Sequence, residues 1–343
     1  MIQAVFAVPG ELGSPTGGYA YARRLLGEAP GLTHLALPGG FPFPSDAELA
    51  QAARLLRGVP ESVPLLIDGL ALGVLPAALI HDLPGPVVAL CHHPLALETG
   101  LEGAEADRLR QTERAALAEC AHVITTSATT AAILTAYYGV TPDRLTVAPP
   151  GTDPAARAAG SGGPEVAILA AGSLTQRKGH DVLVEALAGL AALEWRLTIV
   201  GADRDGACAR DLAARIAHHG LQGRVRLAGA LSPEALGEAY DAADLFVLAS
   251  RYEGFGMVYT EAMARGLPVV GCRAGAVPEA TRGAACLVPP DDPQALREAL
   301  GELIADAAAR RRLAEACWQA AQGFTRWADT TRIVTDVLRR AAR

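Results

Sequence analysis

Short runs of β-branched and other apolar residues alternate with alanine-rich stretches along almost the whole chain of 343 residues. In the first half these runs predict strands at 2–8, 33–37, 64–68, 86–91, 122–126 and 145–148. In the second half they predict strands at 166–171, 196–200, 225–228, 245–249, 268–271 and 286–288, with helices near 179–193, 207–219, 232–242, 257–265, 292–306 and 308–322. Strands that alternate with helices indicate βαβ units, so the predicted fold class is α/β with doubly wound, mostly parallel sheets.

A segment without regular periodicity separates the two series of strands. Residues 149–154 read Pro-Pro-Gly-Thr-Asp-Pro, and the residues that follow are rich in Gly, Ser and Ala, which is typical of a linker. A chain of this length is expected to form about two domains, each with a core of its own. Ligands of doubly wound sheets bind beyond the carboxyl ends of the strands, so the sequence predicts an active site between the two domains.

The C-terminal segment predicts one more helix, which needs a docking partner. Thr325 is placed to cap this helix, and Gly323 is placed to end the helix before it. Its apolar residues fall on one stripe: Ile333, Val334, Val337 and Leu338.

Composition excludes several classes of protein. The formal charge is −7, so a broad nucleic-acid-binding face is not expected. The chain starts without a basic region and long apolar segment, and the most apolar stretch, residues 63–80, is interrupted by Pro, Gly and Asp, which indicates a buried strand and helix. These features predict a cytoplasmic protein with at most peripheral membrane contact. The six cysteines contain no Cys-x-x-Cys pair, so neither a metal centre nor a disulfide scaffold is predicted.

The first motif with chemical content is residues 172–179, Gly-Ser-Leu-Thr-Gln-Arg-Lys-Gly, between a predicted strand and a predicted helix. Lys178 is the only lysine of the chain and follows Arg177. Two cations at a helix N-terminus are unfavourable, because that end carries partial positive charge. A bound anion reverses the sign, so the motif predicts a pyrophosphate site; a solvated basic pair on a loop is the alternative.

The second motif is residues 251–261, Arg-Tyr-Glu-Gly-Phe-Gly-Met-Val-Tyr-Thr-Glu, directly after a predicted strand. Glu253 is expected on the loop and Glu261 about one turn into the next helix, with both carboxylates facing one opening. Carboxylates accept hydrogen bonds from vicinal hydroxyls, the groups that a sugar and a ribose present. Gly254 and Gly256 allow the backbone to approach a ligand closely. For Glu261 the alternative is simple complementarity to the helix dipole.

Two further motifs follow strands of the first half. His92 and His93 come after the strand predicted at 86–91, where a histidine can donate to a substrate or act as a general base. A metal site is disfavoured there, because no nearby ligands complete a coordination shell. Gly17 and Gly18 follow the first strand, where a glycine loop and a helix start can approach a phosphate.

With these motifs in order, the chain resembles the retaining family 4 glycosyltransferases, which have two Rossmann-like domains in the GT-B arrangement. The resemblance covers nearly all of the chain and is strongest over residues 166–290. It is carried by Glu253-x7-Glu261 with its Gly-Phe-Gly, by Arg177-Lys178-Gly179, by Gly266-Leu267-Pro268-Val269-Val270, by Val277-Pro278-Glu279 and by the closing Phe324-Thr325-Arg326-Trp327. It implies that the two domains face each other across a cleft, that the last helix, 326–343, crosses back to an N-terminal acceptor domain of residues 1–153, and that residues 160–325 form the donor domain.

The resemblance also implies roles for single residues. Arg177 and Lys178 would hold the donor diphosphate, and Glu261 the ribose hydroxyls. Glu253 would hold the transferred sugar together with the loop and helix start that follow it: Gly254, Phe255, Gly256, Met257 and Val258. Gly17 and Gly18 would close over the phosphate, and His92 would lie near the reacting face of the sugar, so His92, Glu253 and Lys178 are the predicted catalytic residues. Many relatives have arginine in a Gly-Arg-Leu sequence where this chain has Ser173, so neutralisation of the diphosphate would rest more heavily on Arg177 and Lys178.

The expected activity is transfer of a hexose-type sugar from a nucleoside diphosphate donor to a hydroxyl acceptor, with retention and without a metal or other cofactor. Apolar side chains in the N-terminal loops hint at an apolar or lipid-linked acceptor: Phe41, Phe43, Leu95, Leu97 and Leu101. A nucleotide-sugar epimerase of similar fold and a non-catalytic two-domain sugar-binding protein are the alternatives. A nicotinamide dehydrogenase is disfavoured, since no Gly-x-Gly-x-x-Gly follows the first strand of either half.

Overall fold

A computed structural model describes residues 3–204 and 206–342. Met1, Ile2 and Arg343, which the predicted first strand and domain bounds include, lie outside the described residues. The chain divides into two compact units, one with the residues up to Gly151 and from Thr325 onward, the other Thr152–Phe324.

The first unit contains one parallel sheet, which has six strands in the part of the chain that is described. These are β1 Ala4–Pro9, β2 Leu32–Leu37, β3 Leu65–Asp68, β4 Val87–Cys91, β5 His122–Thr125 and β6 Leu145–Val147. The helices between them are α1 Gly17–Glu28, α2 Asp46–Arg57, α3 Gly69–Leu72, α4 Ala77–His81, α5 Gly103–Glu119 and α6 Ala128–Tyr138. The strand order is β2-β1-β3-β4-β5-β6, so the direction of winding reverses between β1 and β3.

The second unit repeats this plan. Its described strands are β7 Val166–Ala171, β8 Trp195–Val200, β9 Val225–Gly229, β10 Leu245–Leu248, β11 Val269–Cys272 and β12 Cys286–Val288. Its helices are α7 His180–Ala188, α8 Gly206–His218, α9 Pro233–Asp241, α10 Met257–Met263, α11 Val277–Ala280, α12 Pro293–Ala305 and α13 Ala307–Ala321. The strand order β12-β11-β10-β7-β8-β9 is that of a Rossmann sheet, with the reversal between β7 and β10.

Three central strands, β4, β7 and β10, are apolar along their whole length, as expected where helices cover both faces of a parallel sheet. Every residue of β4 and of β7 is buried, and both strands pair in parallel with their neighbours. Such continuous apolar runs are the pattern expected of parallel sheets. The predicted α/β fold class with two Rossmann-like domains is therefore confirmed.

The predicted strands agree with the described ones within two residues at each end. The interpretation of residues 63–80 as a buried strand and helix is also confirmed, since β3, α3 and part of α4 occupy them. No helix among residues 3–204 and 206–342 is both long enough and apolar enough to cross a membrane. The prediction of a helix over 179–193 was too long: α7 ends at Ala188, with Gly189 as its C-cap.

The last helix, α14 Trp327–Ala341, belongs to the first unit, as predicted. It packs against α1, β4 and β5, and Val334, Val337 and Leu338 are buried. The prediction that Thr325 caps it was wrong. The N-cap is Arg326, which is extended, so the Thr325 side chain lies one position too early to serve as the N-cap.

Trp327 fixes the start of this helix. Its ring lies edge-on to Tyr21 at 5.5 Å between centroids, and the Arg24 guanidinium lies 5.2 Å from the ring. A Cβ at Gly151 would lie 2.3 Å from the backbone nitrogen of Trp327, so the chain passes too close for any side chain there. Thr330 Oγ1 donates to the carbonyl of Pro149 at 2.6 Å and adds a polar tie.

Truncation of this contact is expected to destabilise the first unit. Trp327→Ala should cost about 3–5 kcal/mol, the range for loss of a buried aromatic side chain, and should lower the Tm. Trp318→Ala is the matched control, because Trp318 is only half-buried, and its effect should be clearly smaller. Equal Tm values for Trp327→Ala and the wild type in thermal denaturation would contradict this account of the docking.

Candidate functional site

Two loops meet where the second sheet reverses its winding. β7 and β10 are hydrogen-bonded neighbours, so the loops that follow them lie side by side. The loop after β7 contains a short 3-10 helix, Gln176–Lys178, and ends at Gly179. Gly179 has φ +63°, and a Cβ on it would lie 1.9 Å from the carbonyl oxygen of Ala249, next to the loop after β10. Glycine is therefore required for the two loops to come this close.

The predicted cations and the predicted acid on these loops contact each other directly. Lys178 Nζ lies 2.6 Å from Glu253 Oε1, and Arg177 Nη1 lies 3.4 Å from Glu253 Oε2. Ser250 Oγ donates to Glu253 Oε1 at 2.6 Å. The carboxylate is thus held by two cations and a hydroxyl, and its side chain is only 7% exposed.

The electrostatics of this cluster follow from burial and charge. Burial raises the pKa of Glu253, but the charges of Lys178 and Arg177 and the hydrogen bonds from Lys178 and Ser250 outweigh it, so the pKa lies below its ordinary value. Glu253 is therefore ionised at neutral pH and balances the charge of one of the two cations. Two cations and one carboxylate leave a formal charge of +1.

A third loop, after β11, fixes the backbone of Glu253. The amide of Ala276 donates to the carbonyl of Glu253 at 2.9 Å. Gly275 has φ +56°, and a Cβ there would lie 2.2 Å from the same carbonyl oxygen. Gly275 and Ala276 directly precede the Val277-Pro278-Glu279 motif, which begins α11. The contact with Glu253 therefore also positions the start of α11.

The remaining predicted donor residues continue from Glu253 into α10. Gly254 is buried, whereas Phe255, Gly256, Met257 and Val258 are half-buried. Gly256 is the N-cap of α10 with φ +97°, and a Cβ on it would lie 2.7 Å from the Tyr259 ring. The left-handed conformation and this close approach both require glycine.

Glu261 has a different partner from Glu253. Tyr240 OH donates to Glu261 Oε2 at 3.0 Å. Burial raises the pKa of Glu261, although the Tyr240 hydrogen bond and the charge of Arg265 oppose the shift. The structure therefore brings Arg177, Lys178 and Glu253 into one cluster on the two loops, with Glu261 in a separate hydrogen bond on α10.

Ser173, the remaining predicted donor-binding residue of this loop, is half-buried and follows Gly172, which packs against Lys178. A Cβ at Gly172 would lie 3.2 Å from Lys178 Cδ, so the lysine stem packs along this glycine. His180 Nε2 lies 3.1 Å from the carbonyl oxygen of Gly172. A carbonyl only accepts, so Nε2 carries the proton, and burial lowers the pKa of His180 to about 4, which keeps the ring neutral.

Arg251 is a residue that the sequence analysis did not single out. Its guanidinium binds Asp181 through two hydrogen bonds of 3.0 and 2.8 Å, and its Nε donates to Asp291 Oδ1 at 2.6 Å. It also donates to the Gln176 carbonyl through the guanidinium and to the Arg177 carbonyl through the backbone amide. Arg251 thereby ties the 3-10 helix to the Glu253 loop. Its position two residues before Glu253 was the only available signal.

The first unit brings its predicted residues together at its own point of reversal. His92 follows β4, and its Nε2 lies 3.4 Å from Oδ2 of Asp68, the last residue of β3. A Cβ at Gly18 would lie 3.5 Å from His92 Cδ2, so the first turn of α1 touches the imidazole. Gly17 is the first residue of that helix. Asp68 is buried and also caps α3; the sequence analysis treated it only as an interruption of an apolar stretch.

The ring of His92 is supported by an aromatic neighbour. Tyr21 lies edge-on to it at 5.3 Å, and the Tyr21 hydroxyl donates to the carbonyl of Ala148 at 3.0 Å. His93 points to a different acid, with Nε2 3.5 Å from Glu98 Oε2. His92, not His93, is thus the histidine beside Asp68 and Gly18. No group of three or more His, Cys, Asp or Glu residues suited to a metal ion occurs within the described part of the chain.

The suggestion that five apolar loop residues contact an acceptor is wrong for two of them. Phe41 is 6% exposed and belongs to the core of the first unit, and Leu95 is 8% exposed and packs with Leu109. Side chains buried in this way stabilise the loops and are not available to a ligand. Phe43 is 54% exposed, and Leu97 and Leu101 are half-buried.

Replacement of Arg251 is expected to make the loop that contains Arg177 and Lys178 less ordered. Arg251→Lys keeps a positive charge but lacks the planar fork, so it cannot bind Asp181 twice and the Gln176 carbonyl as well. We expect about tenfold weaker binding of inorganic pyrophosphate by isothermal titration calorimetry, which corresponds to about 1.4 kcal/mol. Arg196→Lys, at an exposed pair with Glu165, is the control. Unchanged affinity in Arg251→Lys would contradict the role of Arg251 in holding this loop in place.

Two family models match the chain. The model described as "Glycosyltransferase Family 4" matches residues 24–156, and the model described as "Glycosyl transferases group 1" matches residues 165–306. D-inositol 3-phosphate glycosyltransferase of Nocardia farcinica is 34% identical over 241 residues, which cover 64% of this chain and 52% of that protein. The chain thus spans about half the length of the first curated relatives it matches.

Solved structures show the same fold. Sucrose-phosphate synthase of Thermosynechococcus elongatus superimposes with a TM-score of 0.81 at 23% identity, covering 98% of this chain and 99% of that one. The HepE protein of Anabaena, solved in complex with UDP and glucose, gives 0.77 at 18% identity, covering 99% and 100%. The two family models match most of each unit, and the fold is of the GT-B type. The chain belongs to the family 4 glycosyltransferases.

Proposed function

We propose that this protein transfers a hexose-type sugar from a nucleoside diphosphate donor to a hydroxyl acceptor, with retention of anomeric configuration. The observation that carries the proposal is the cluster of Arg177, Lys178 and Glu253 at the point of reversal of a Rossmann sheet, the position where such sheets bind nucleotides. The reaction is proposed to need no cofactor and to take place in the cytoplasm.

The charge of the cluster suits a diphosphate leaving group. Negative charge grows on the diphosphate as the bond to the sugar breaks, and fixed cations stabilise that charge more in the transition state than in the ground state. Lys178 and Arg177 are half-buried and held in place by the surrounding loops, so little reorganisation is needed when the charge develops. Glu253 holds the two cations side by side, because each of them pairs with one of its carboxylate oxygens.

The environment of Glu253 favours a front-face mechanism over double displacement. A nucleophilic carboxylate needs its negative charge available to the anomeric carbon, but Lys178 and Arg177 neutralise the charge of Glu253 and Ser250 adds a hydrogen bond. In a front-face reaction the departing phosphate takes the proton of the acceptor hydroxyl. Glu253 would then accept hydrogen bonds from the sugar hydroxyls and position the sugar.

In this proposal His92 contacts the sugar from the first unit, with Gly17 and Gly18 beside the phosphate. Asp68 Oδ2 lies 3.4 Å from Nε2 of the His92 ring. Glu261, next to Tyr240, would accept from the ribose hydroxyls. The acceptor is proposed only as a hydroxyl compound; the exposed ring of Phe43 is the observation that favours an apolar one.

The donor is expected to be recognised by its nucleoside diphosphate. The Anabaena protein was solved with UDP, so UDP is the first probe, followed by GDP, ADP and TDP. Because a ligand that binds only the native state stabilises it by mass action, the preferred nucleotide should raise the Tm most. Lys178→Ala should abolish that shift. A Tm that responds to none of the four nucleotides would contradict the proposal.

Substitutions within the cluster should remove most turnover while leaving the fold intact. For Lys178→Ala we expect a loss of about 10²–10³-fold in kcat, as for other single donors that stabilise a developing anion. Glu253→Ala should lose a comparable amount, and His92→Ala less. Arg196→Ala, which removes an exposed cation, serves as the control. Near wild-type transfer by Lys178→Ala or Glu253→Ala with the true substrates would refute that residue's role.

Stereochemistry and acceptor dependence separate the proposal from its alternatives. Proton NMR of the product should show the anomeric configuration of the donor, and inversion would refute retention. A nucleotide-sugar epimerase would convert the donor without any acceptor. A non-catalytic sugar-binding protein would bind free sugar without nucleotide.

A further inference from the structure

A buried glutamate on α5 lies directly beneath the His92 loop and has no place in the proposed reaction. The buried residues of this helix are Leu109, Glu113, Ala116 and Leu117. Glu113 is only 1% exposed, although its neighbours on the same face are apolar. A buried carboxyl is costly unless its oxygens are hydrogen-bonded, so its contacts indicate what it does.

The contacts of Glu113 are with residues on both sides of His92. Glu113 Oε2 accepts the backbone amide of Leu95 at 3.0 Å, and the Cys91 thiol donates to Glu113 Oε1 at 3.8 Å. Cys91 directly precedes His92, and Leu95 follows His93 and Pro94. One carboxyl therefore touches both ends of the 91–95 segment.

The Leu95 amide needs an acceptor from elsewhere in the chain. Leu95 is the first residue of a 3-10 helix, Leu95–Leu97, and amides in the first turn of a helix have no partner within it. The N-cap residue, Pro94, offers no side-chain acceptor. Glu113 supplies one, and Leu109, one turn earlier on α5, packs against the Leu95 side chain.

We propose that Glu113 is a positioning residue for His92: its carboxyl anchors the 91–95 segment from beneath and thereby sets the distance between the His92 ring and Asp68. The proposal rests on the proposed function, since it is there that His92 meets substrate. The other restraints on His92 act from the sides. Thr126 Oγ1 donates to the His92 carbonyl at 3.2 Å, and Asp68 lies 3.4 Å from Nε2.

The protonation state of Glu113 agrees with this role. Burial raises the pKa of Glu113 to about 8, against an ordinary value of 4.5, so the carboxyl is neutral at pH 7. Two titratable groups face the Glu113 carboxyl: Cys91 at the end of β4 and Tyr138 on α6. Two charged groups lie near these: Asp68 of β3 acts on Cys91, and Arg110 of α5 acts on Tyr138. Burial is what raises the pKa of Glu113, and its hydrogen bonds from the Leu95 amide and the Cys91 thiol oppose the shift without cancelling it.

The sign of the pH dependence follows. A carboxyl whose pKa is higher in the folded state binds its proton more tightly when folded. Its contribution to stability is complete below about pH 4.5 and is lost as the pH rises through about 8. Ionisation then places a charge under the His92 loop, and the imidazole should respond.

The test follows the His92 imidazole by NMR, which requires neither donor nor acceptor. His92→Gln identifies the resonance. In the wild type we expect an inflection near pH 8, which Glu113→Gln should abolish while leaving the resonance unchanged at pH 7, because the amide oxygen still accepts from Leu95. Glu113→Leu should displace the resonance at every pH. Glu105→Gln, at a more exposed position of the same helix, is the control and should behave as the wild type.

The outcomes separate this proposal from the function on which it rests. A wild-type resonance without an inflection near pH 8, an inflection that persists in Glu113→Gln, or an unmoved resonance in Glu113→Leu would overturn it. If Glu113→Leu does not fold, Glu113→Gln, which keeps an acceptor for the Leu95 amide, decides alone: loss of the inflection near pH 8 is expected, and an inflection that persists refutes the proposal. Once transfer is measurable, Glu113→Leu should lower kcat by about tenfold or more with little change in KM. Failure of transfer with the NMR result intact would refute the function and leave the positioning role standing.

Discussion

The contact between Glu253 and the adjacent cations Arg177 and Lys178 is the interaction on which the second unit's site depends. Removing these groups from water has a cost, which their mutual attraction offsets only when the geometry is held closely. The surrounding residues supply that geometry. Gly179 lets the loops touch, Arg251 ties one loop to the other, and the loop after β11 holds the Glu253 carbonyl. The result is a cluster with net positive charge, which suits an anionic ligand more than a neutral one.

In the first unit the candidate site contains one imidazole, that of His92, which is also held in a fixed position. His92 lies on a loop at the carboxyl end of β4, and packed neighbours hold its ring beside Asp68. Tyr21 supports the ring from α1, and Trp327 of the last helix supports Tyr21. The C-terminal helix thus completes the support of a candidate site residue more than 200 positions earlier in the chain. This is a physical reason for it to pack on the first unit.

The success of the strand predictions has a simple origin. Strands such as β4 and β7 are covered on both faces, so their apolar runs carry no competing signal and end where the polar loops begin. Predictions that needed one residue's exact environment were less successful. Thr325 has the right residue type for a cap but lies one position early, and Phe41 and Leu95 are apolar loop residues that turned out to be core. A loop residue's burial depends on elements far away in sequence, which no local pattern reports.

The residue types of the loops after β7 and β10, and the apolar periodicity that places them at strand ends, follow from the order of amino acids, because burial of parallel strands leaves a local and repeated pattern. The pairings do not. Lys178 and Glu253 are 75 positions apart, Glu113 and Leu95 are 18 apart, and His92 and Asp68 lie on separate strand ends. These groups meet because β10 lies beside β7 and β4 beside β3, and that strand order is set by the packing of whole helices and sheets. Distances, shifted pKa values and the partners of Arg251 and Glu113 exist only once that packing has formed.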